Sequence, residues 1–149
     1  MRIVKAESGH IGKAVELRME MLREVNGLDD AERFSEDFIR LSEEYFINGD
    51  QTTFLAIEGE KAVGCATVCY IRLMPTFDHR TGKRAHIMNV YVKPEYRRRG
   101  LAGKMLQEII CEAKQKSVTQ ISLDATDKGR PLYETLRFLS SAERMELNL

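Results

Sequence analysis

The sequence predicts an α/β fold with a mixed, mostly antiparallel central sheet and helices on both sides. Several short segments alternate apolar and polar residues, as strands do, whereas longer segments repeat apolar residues every three or four positions, as helices do. One helical segment joins two strand segments, and such a crossover makes those strands parallel. The chain of 149 residues is expected to form one domain, 1–149.

The order of elements follows from this spacing and from the residues that end each segment. The predicted elements are a strand at 3–6, helices at 11–25 and about 31–45, strands at 53–57, 62–73 and 85–92, a helix at 100–116, a strand at 118–125, a helix at about 128–136 and a last strand at 145–149. Asn26-Gly27 ends the first helix, and Asp29 or Asp30 can cap the second. A polar loop, 75–84, precedes strand 85–92.

Three segments have apolar patterns that predict which side chains are buried. The second helix is expected to bury Ala31, Phe34, Phe38, Leu41 and Tyr45. The third helix is expected to bury Leu101, Met105, Ile109 and Ala113. The last strand is predicted from the alternation of Met145, Leu147 and Leu149 with polar residues.

Composition and charge exclude several classes of protein. Lys+Arg and Asp+Glu both number 23, whereas a nucleic-acid-binding domain usually carries a basic excess. No apolar run reaches the ~20 residues that cross a bilayer, and the first residues lack the apolar stretch of a signal peptide. Cys65, Cys69 and Cys111 are expected to be buried thiols in a reducing compartment. We therefore expect a cytoplasmic protein with no metal, no nucleic-acid partner and no membrane partner.

The most specific segment lies where strand 85–92 ends and helix 100–116 begins. It reads Val90-Tyr91-Val92-Lys93-Pro94-Glu95-Tyr96-Arg97-Arg98-Arg99-Gly100-Leu101-Ala102-Gly103. The first N–H groups of a helix have no partner within it, and the helix dipole is positive there, so phosphate binds readily. Glycines allow close approach and arginines donate charge-assisted hydrogen bonds. The segment therefore predicts an anion site, and a solvated arginine-rich turn is the alternative.

Two blocks of this sequence resemble the GNAT superfamily of N-acetyltransferases. Arg97-x-x-Gly100-x-Ala102 is similar to that family's acyl-CoA pyrophosphate loop, Arg/Gln-x-x-Gly-x-Gly/Ala. Leu132-Tyr133-Glu134-Thr135-Leu136-Arg137-Phe138 resembles its Leu-Tyr-Glu-x-Leu-Gly-Phe, and the order of elements matches the GNAT fold. The resemblance implies an enzyme that moves an acetyl group from acetyl-CoA to a primary amine, directly and in a ternary complex.

The resemblance also implies roles for individual residues. Strands 85–92 and 118–125 would splay to form the CoA cleft, where the backbone of Val90, Tyr91 and Val92 would bind the pantetheine arm and polarise the thioester carbonyl. Tyr133 would protonate the leaving thiolate. The pyrophosphate would be held by Arg97, Arg98, Arg99, Gly100, Leu101, Ala102 and Gly103. Two positions depart from the family: Thr126 replaces a common asparagine near the CoA arm, and Arg137 replaces a glycine at a turn.

Several groups are candidates for the general base that takes the proton of the amine. His86 and Asp124 lie on the two splayed strands, although Asp124 can instead cap the following helix; Glu24 of the first helix is a further candidate. A water relay needs no dedicated base.

The acceptor is expected to be a small-molecule or peptide amine, bound by the first two helices and loop 75–84, whose charges are mixed in sign. A homodimer is expected. The alternative function is a non-catalytic acyl-CoA-binding regulatory module, in which Tyr133→Phe has no rate to reduce.

Overall fold

Five strands form one sheet in the computed structural model, which describes residues 1–149. The strands, in spatial order, are β1 (Arg2–Lys5), β2 (Gln51–Glu58), β3 (Lys61–Arg72), β4 (Lys83–Val92) and β5 (Gln120–Leu123), and the helices are α1 (Ile11–Val25), α2 (Glu36–Asn48), α3 (Leu101–Gln115) and α4 (Arg130–Thr135). Neighbouring strands are antiparallel except β4 and β5, which α3 connects and which are parallel. The predicted mixed sheet is therefore confirmed.

Helices cover the two faces of the sheet with separate apolar clusters. α3 packs on one face through the residues that its spacing predicts, all of them buried: Leu101, Met105, Ile109 and Ala113. α1 packs on the other face, where Ala14 and Leu17 contact Leu55, Cys65 and Tyr91. Because side chains alternate along a strand, the same strands supply both clusters. No helix combines the length and the apolar character needed to cross a membrane.

α2 differs from its prediction in both its start and its buried face. The helix begins at Glu36, because the Ser35 hydroxyl caps it by accepting the Phe38 N–H at 3.2 Å. Asp29 instead accepts the Ala31 N–H in a turn ahead of the helix. The buried residues of α2 are Ser42 and Phe46, whereas Leu41 and Tyr45, predicted to be buried, are 56% and 43% exposed.

The predicted strand at 145–149 is wrong. Residues 139–149 form no helix or strand, and Met145 and Leu147 are exposed. Alternating side chains suit a strand, but a strand also needs a neighbour for its backbone groups, and this segment pairs with none.

Three smaller expectations also need correction. Cys111 is exposed, whereas Cys65 and Cys69 are buried as expected. β4 begins at Lys83, two residues earlier than predicted. β5 is shorter than 118–125 because its pairing with β4 ends at Leu123.

Candidate active site

β4 and β5 diverge after a short paired region. They pair only between Arg84–Ile87 and Gln120–Leu123. Beyond this point β4 contains one extra residue relative to β3, since Thr67 lies opposite Met88 but Cys65 lies opposite Tyr91. Such a bulge bends a strand. The two parallel strands therefore leave the predicted gap between them.

Asn89 holds the bulge in place. Its φ is +61°, in the left-handed region that asparagine tolerates better than most residues. Its side chain is buried and the side-chain amide nitrogen lies 3.4 Å from Thr67 Oγ1, while its backbone carbonyl accepts the Cys65 thiol at 3.2 Å. Sequence reasoning missed this residue, although an asparagine inside an otherwise apolar strand is a usable signal.

The backbone of β4 presents polar groups to the gap. Lys93 N–H donates to the Val63 carbonyl, so the backbone groups of Tyr91, two residues earlier, also face β3. By alternation, Val90 and Val92 face the gap. The Val92 carbonyl already accepts Arg97 Nε at 2.8 Å. Of the three predicted pantetheine-binding residues, Val90 and Val92 thus direct their backbone groups toward the gap, whereas Tyr91 directs its own toward β3.

The loop into α3 forms a cradle of free N–H groups. The six consecutive amides from Arg98 to Gly103 donate to no acceptor within the chain. Arg98 and Gly100 have φ of +62° and +74°, which turns successive amides toward a common point. No atom lies within 4 Å of where a Gly100 Cβ would be, so the cradle is open. The residues present therefore fit a pyrophosphate group.

The three arginines of this loop have different surroundings. Arg97 Nη2 forms a 2.6 Å ion pair with the carboxylate of Glu24. This hydrogen bond raises the pKa of the Arg97 guanidinium. Arg99 donates to the Glu95 carbonyl and lies over the Tyr96 ring. Arg98 is exposed. Arg97 thus connects the loop to α1. Glu24 is paired with this arginine and lies outside the cavity that His86 and Asp124, the other two candidate bases, line.

A cavity of about 1370 Å³ opens on the α1 side of the gap. α2 lines it with Phe38, Leu41 and Tyr45, which explains why the predicted apolar face of that helix is exposed. His86, Asp124 and Tyr133 all line the same cavity. The structure therefore brings together the three residues that the sequence offered separately as catalytic candidates.

His86 lies between two polar side chains of the β5 segment. Its Nδ1 is 2.7 Å from Ser122 Oγ, and its Nε2 is 3.6 Å from Asp124 Oδ2. Ser122 Oγ also lies 3.4 Å from the Ala85 carbonyl. Ser122 escaped the sequence analysis because only the parallel register, which sets it opposite His86, identifies it.

Tyr133 lies on α4, half-buried, with its ring edge against Phe138 at a centroid distance of 6.1 Å. Burial raises the pKa of its phenol, and the hydroxyl makes no hydrogen bond within the chain. A Cβ on Gly129 would come within 3.0 Å of the Tyr133 ring, so this glycine makes room for it.

Both departures from the family pattern flank α4. Thr126 Oγ1 accepts the Gly129 N–H at 3.2 Å, and the Thr126 carbonyl accepts the Arg130 N–H. Thr126 therefore closes the turn ahead of α4, whose N-cap is Gly129 and which has no side-chain cap, so the alternative role of Asp124 as a helix cap is not observed. Arg137 has a φ of +69°, and its N–H and that of Phe138 close the helix on Glu134 and Tyr133. The position thus has the positive φ that suits glycine.

Comparisons with known proteins agree with this geometry. The family model described as "Acetyltransferase (GNAT) family" matches residues 18–138. The chain is 30% identical to thialysine N-epsilon-acetyltransferase of Sus scrofa, over 95% of this chain and 86% of that protein. It is 34% identical to glucosamine 6-phosphate N-acetyltransferase of Trypanosoma brucei brucei, over 60% of this chain and 58% of that protein.

Solved structures give the same result. An acetyltransferase from Clostridium acetobutylicum, crystallised with acetyl-CoA, superposes with a TM-score of 0.86 at 28% identity, covering 99% of this chain and 95% of that one. A GCN5-related N-acetyltransferase from Ralstonia eutropha JMP134 shares the fold, with a TM-score of 0.81 at 21% identity, covering 99% and 97%. The protein therefore belongs to the GNAT family of acetyltransferases and is an acetyl-CoA-dependent acyltransferase.

Proposed function

We propose that this protein transfers the acetyl group of acetyl-CoA directly to the primary amine of a small molecule. The observation that carries the proposal is the meeting of His86, Asp124 and Tyr133 in one cavity beside the β4–β5 gap. The relatives described above are named for small amines, thialysine and glucosamine 6-phosphate. The cavity, at about 1370 Å³, has room for an acceptor of that size.

Two sets of backbone groups would hold acetyl-CoA, which supplies the thioester. The free amides from Arg98 to Gly103 would bind the pyrophosphate. Val90 and the Val92 N–H would bind the pantetheine arm, and one of these N–H groups would polarise the thioester carbonyl. Backbone donors suit this task because the fold fixes them before binding.

His86 would act as the general base. In the arrangement in which Ser122 also satisfies the Ala85 carbonyl, Nδ1–H donates to Ser122 Oγ and the Ser122 hydroxyl donates to that carbonyl. This leaves a lone pair on Nε2 to take the proton of the amine. The Asp124 carboxylate, 3.6 Å away, would then stabilise the imidazolium.

Tyr133 would act as the general acid. Because burial raises the pKa of its phenol, the group keeps its proton throughout the neutral range. It would give that proton to the sulfur as the C–S bond of the thioester breaks. The absence of a competing hydrogen bond leaves the hydroxyl free for this step.

The cysteines support direct transfer over an acyl-enzyme. Burial raises the pKa of Cys65 to about 12 and also raises that of Cys69, so neither is a ready thiolate. Cys111 is exposed on α3 and does not line the cavity.

Steady-state kinetics with varied acetyl-CoA and amine test the proposal. We expect intersecting double-reciprocal plots and no mass increase of the protein incubated with acetyl-CoA alone. Tyr133→Phe should lower kcat by about 10²-fold while leaving acetyl-CoA affinity unchanged. Tyr96→Phe is the matched control, because Tyr96 lies outside the cavity. Parallel plots with an acetylated protein would contradict direct transfer; acetyl-CoA binding without turnover of any amine would favour the regulatory module.

A further inference from the structure

The cavity carries more positive than negative side chains. Four arginines line it but only two carboxylates do, Asp124 and Glu134. Arg144 pairs with Glu146 at 3.0 Å, whereas the other three have no carboxylate within 4 Å. Of these three, Arg130 is exposed and donates to Ser140 Oγ at 3.2 Å, and Arg18 and Arg84 are half-buried.

Arg18 projects from α1 and is half-buried. Its one side-chain hydrogen bond, from Nε to Ser42 Oγ, is long at 3.4 Å. Burial lowers the pKa of this guanidinium, and no carboxylate opposes the shift. A partly desolvated cation without an anion is unfavourable, and a bound anion would relieve the penalty.

Arg84, on β4, also has a guanidinium that is only partly hydrogen-bonded. One of its terminal nitrogens donates to Gln120 Oε1. Its Nε is buried and has no hydrogen-bond partner, although it is an obligatory donor. Native structures rarely leave such a group unsatisfied.

Both arginines lie close to the proposed base. Arg84 is two residues from His86 on the same strand face, a separation of about 7 Å between the Cα atoms. Arg18 lies near Cys69, which is directly opposite His86 in the β3–β4 pairing. A guanidinium binds the two oxygens of a carboxylate or phosphate in a fork.

We infer that the acceptor carries an anionic group, a carboxylate or a phosphate, which Arg18 and Arg84 bind while its amine lies against His86. This inference rests on the proposed function, since it assigns the substrate class of that site. Phe38, Leu41 and Tyr45, which line the same cavity, would contact the carbon chain between the two groups.

The test measures binding without requiring turnover. Calorimetry on the CoA-loaded protein would measure the affinities of two sets of ligands. The first set pairs ω-acetamido carboxylates of increasing chain length with their primary amides. The second pairs N-acetyl-O-phosphoethanolamine with N-acetylethanolamine. These are product mimics that differ only in the anionic group. We expect at least one anionic compound to bind at least ten-fold more tightly than its neutral counterpart. Whether that compound is a carboxylate or a phosphate then identifies the anionic group that the site prefers.

Variants locate the anionic group. Arg18→Gln and Arg84→Gln should each remove most of the preference for the anion without changing CoA affinity. Arg40→Gln should change neither, because Arg40 lies on the outer side of α2 with Asp37 and Glu44. Equal affinity for charged and neutral partners, or a preference that survives both variants, would overturn the inference.

Turnover of the corresponding free amines separates this inference from the proposed function. Equal acetylation of charged and neutral amines would overturn the anion site and leave the acetyltransferase activity intact. Selective binding of the anionic mimics with no acetylation of any amine would contradict the proposed function and still support the anion site.

Discussion

The two walls of the β4–β5 gap are built in different ways. The wall formed by the end of β4 and the start of α3 rests on tightly packed side chains, with Met105, Leu106 and Ile109 all fully buried, and it offers backbone groups to a ligand. The opposite wall, formed by α2 and the C-terminal residues, offers side chains, and Leu41 and Leu139 are 56% and 90% exposed. Backbone donors recognise a group common to many reactions, whereas exposed side chains can change from one protein to the next.

The largest expected effect comes from breaking the backbone-built wall. Gly100→Glu places a negative side chain in the open cradle at a φ of +74° and should weaken acetyl-CoA binding by at least 100-fold. Calorimetry measures the effect. Gly59→Glu is the matched control, because Gly59 has a φ of +60° and equally open space but lies in the β2–β3 turn. Equal losses in both variants would mean that strain, and not the cradle, is responsible.

The next effect tests the junction of the two walls. His86→Gln should lower kcat/KM for the amine by about 10²-fold, because no side chain then stands at this position to accept the amine proton. Acetyl-CoA affinity should not change. His79→Gln, in the exposed loop beside Thr119, should leave kcat/KM as it is. An unaltered kcat/KM in His86→Gln would assign proton removal to water.

A stability measurement compares a carboxylate from each wall. Glu112 of α3 accepts hydrogen bonds from Lys5 and Tyr70. Burial alone would raise its pKa, but these bonds outweigh burial and lower it. A depressed folded-state pKa stabilises the fold above the unfolded value of about 4.3, and this contribution is lost as the pH falls through the folded value.

Glu112→Gln should therefore cost about 2 kcal/mol of unfolding free energy at pH 7 and less at pH 3. Urea denaturation at the two pH values measures the change. Glu44→Gln on α2, whose partner is the exposed Arg40, should cost under about 0.5 kcal/mol at pH 7. A cost for Glu112→Gln that is the same at both pH values would show that its charge is not what matters.

The smallest effect concerns the turn after α4. Arg137→Gly should stabilise the protein by about 1 kcal/mol, because glycine accepts the φ of +69° without strain. Thermal or urea unfolding measures the gain. Arg137→Ala keeps a Cβ at the same φ and should give no gain, so stabilisation by alanine as well would point to the arginine side chain itself.

The wall built from backbone groups was also the one that the sequence predicted. The spacing of Leu101, Met105, Ile109 and Ala113 identified the buried face of α3, and the glycines marked where its cradle begins. Both patterns can be read from a short stretch of sequence, because the buried face and the start of a helix depend on residues that are neighbours along the chain.

The other wall depends on contacts that no local pattern contains. Leu41 and Tyr45 repeat at helical spacing like core residues, yet they face a cavity because Ser42 and Phe46 are the residues packed inward. The alternation at 145–149 gave a strand prediction without supplying a partner strand. The contact of His86 with Ser122 follows from the β4–β5 register, which the sequence alone does not specify.

The extra residue at Asn89 shifts the phase of β4. Before it, Arg84 and His86 face the cavity and Ala85 and Ile87 pack beneath α3; after it, Tyr91 faces the α1 side and Val92 packs beneath α3. Even-numbered side chains thus face the cavity before Asn89 and face α3 after it. Deleting this one residue would leave Tyr91 and Val92 on their present faces, because the remaining residues of β4 would then alternate without interruption. The bulge itself would be lost, and with it the bend that turns β4 away from β5. A one-residue gap here in a related chain would consequently remove the bend without exchanging the faces of the side chains.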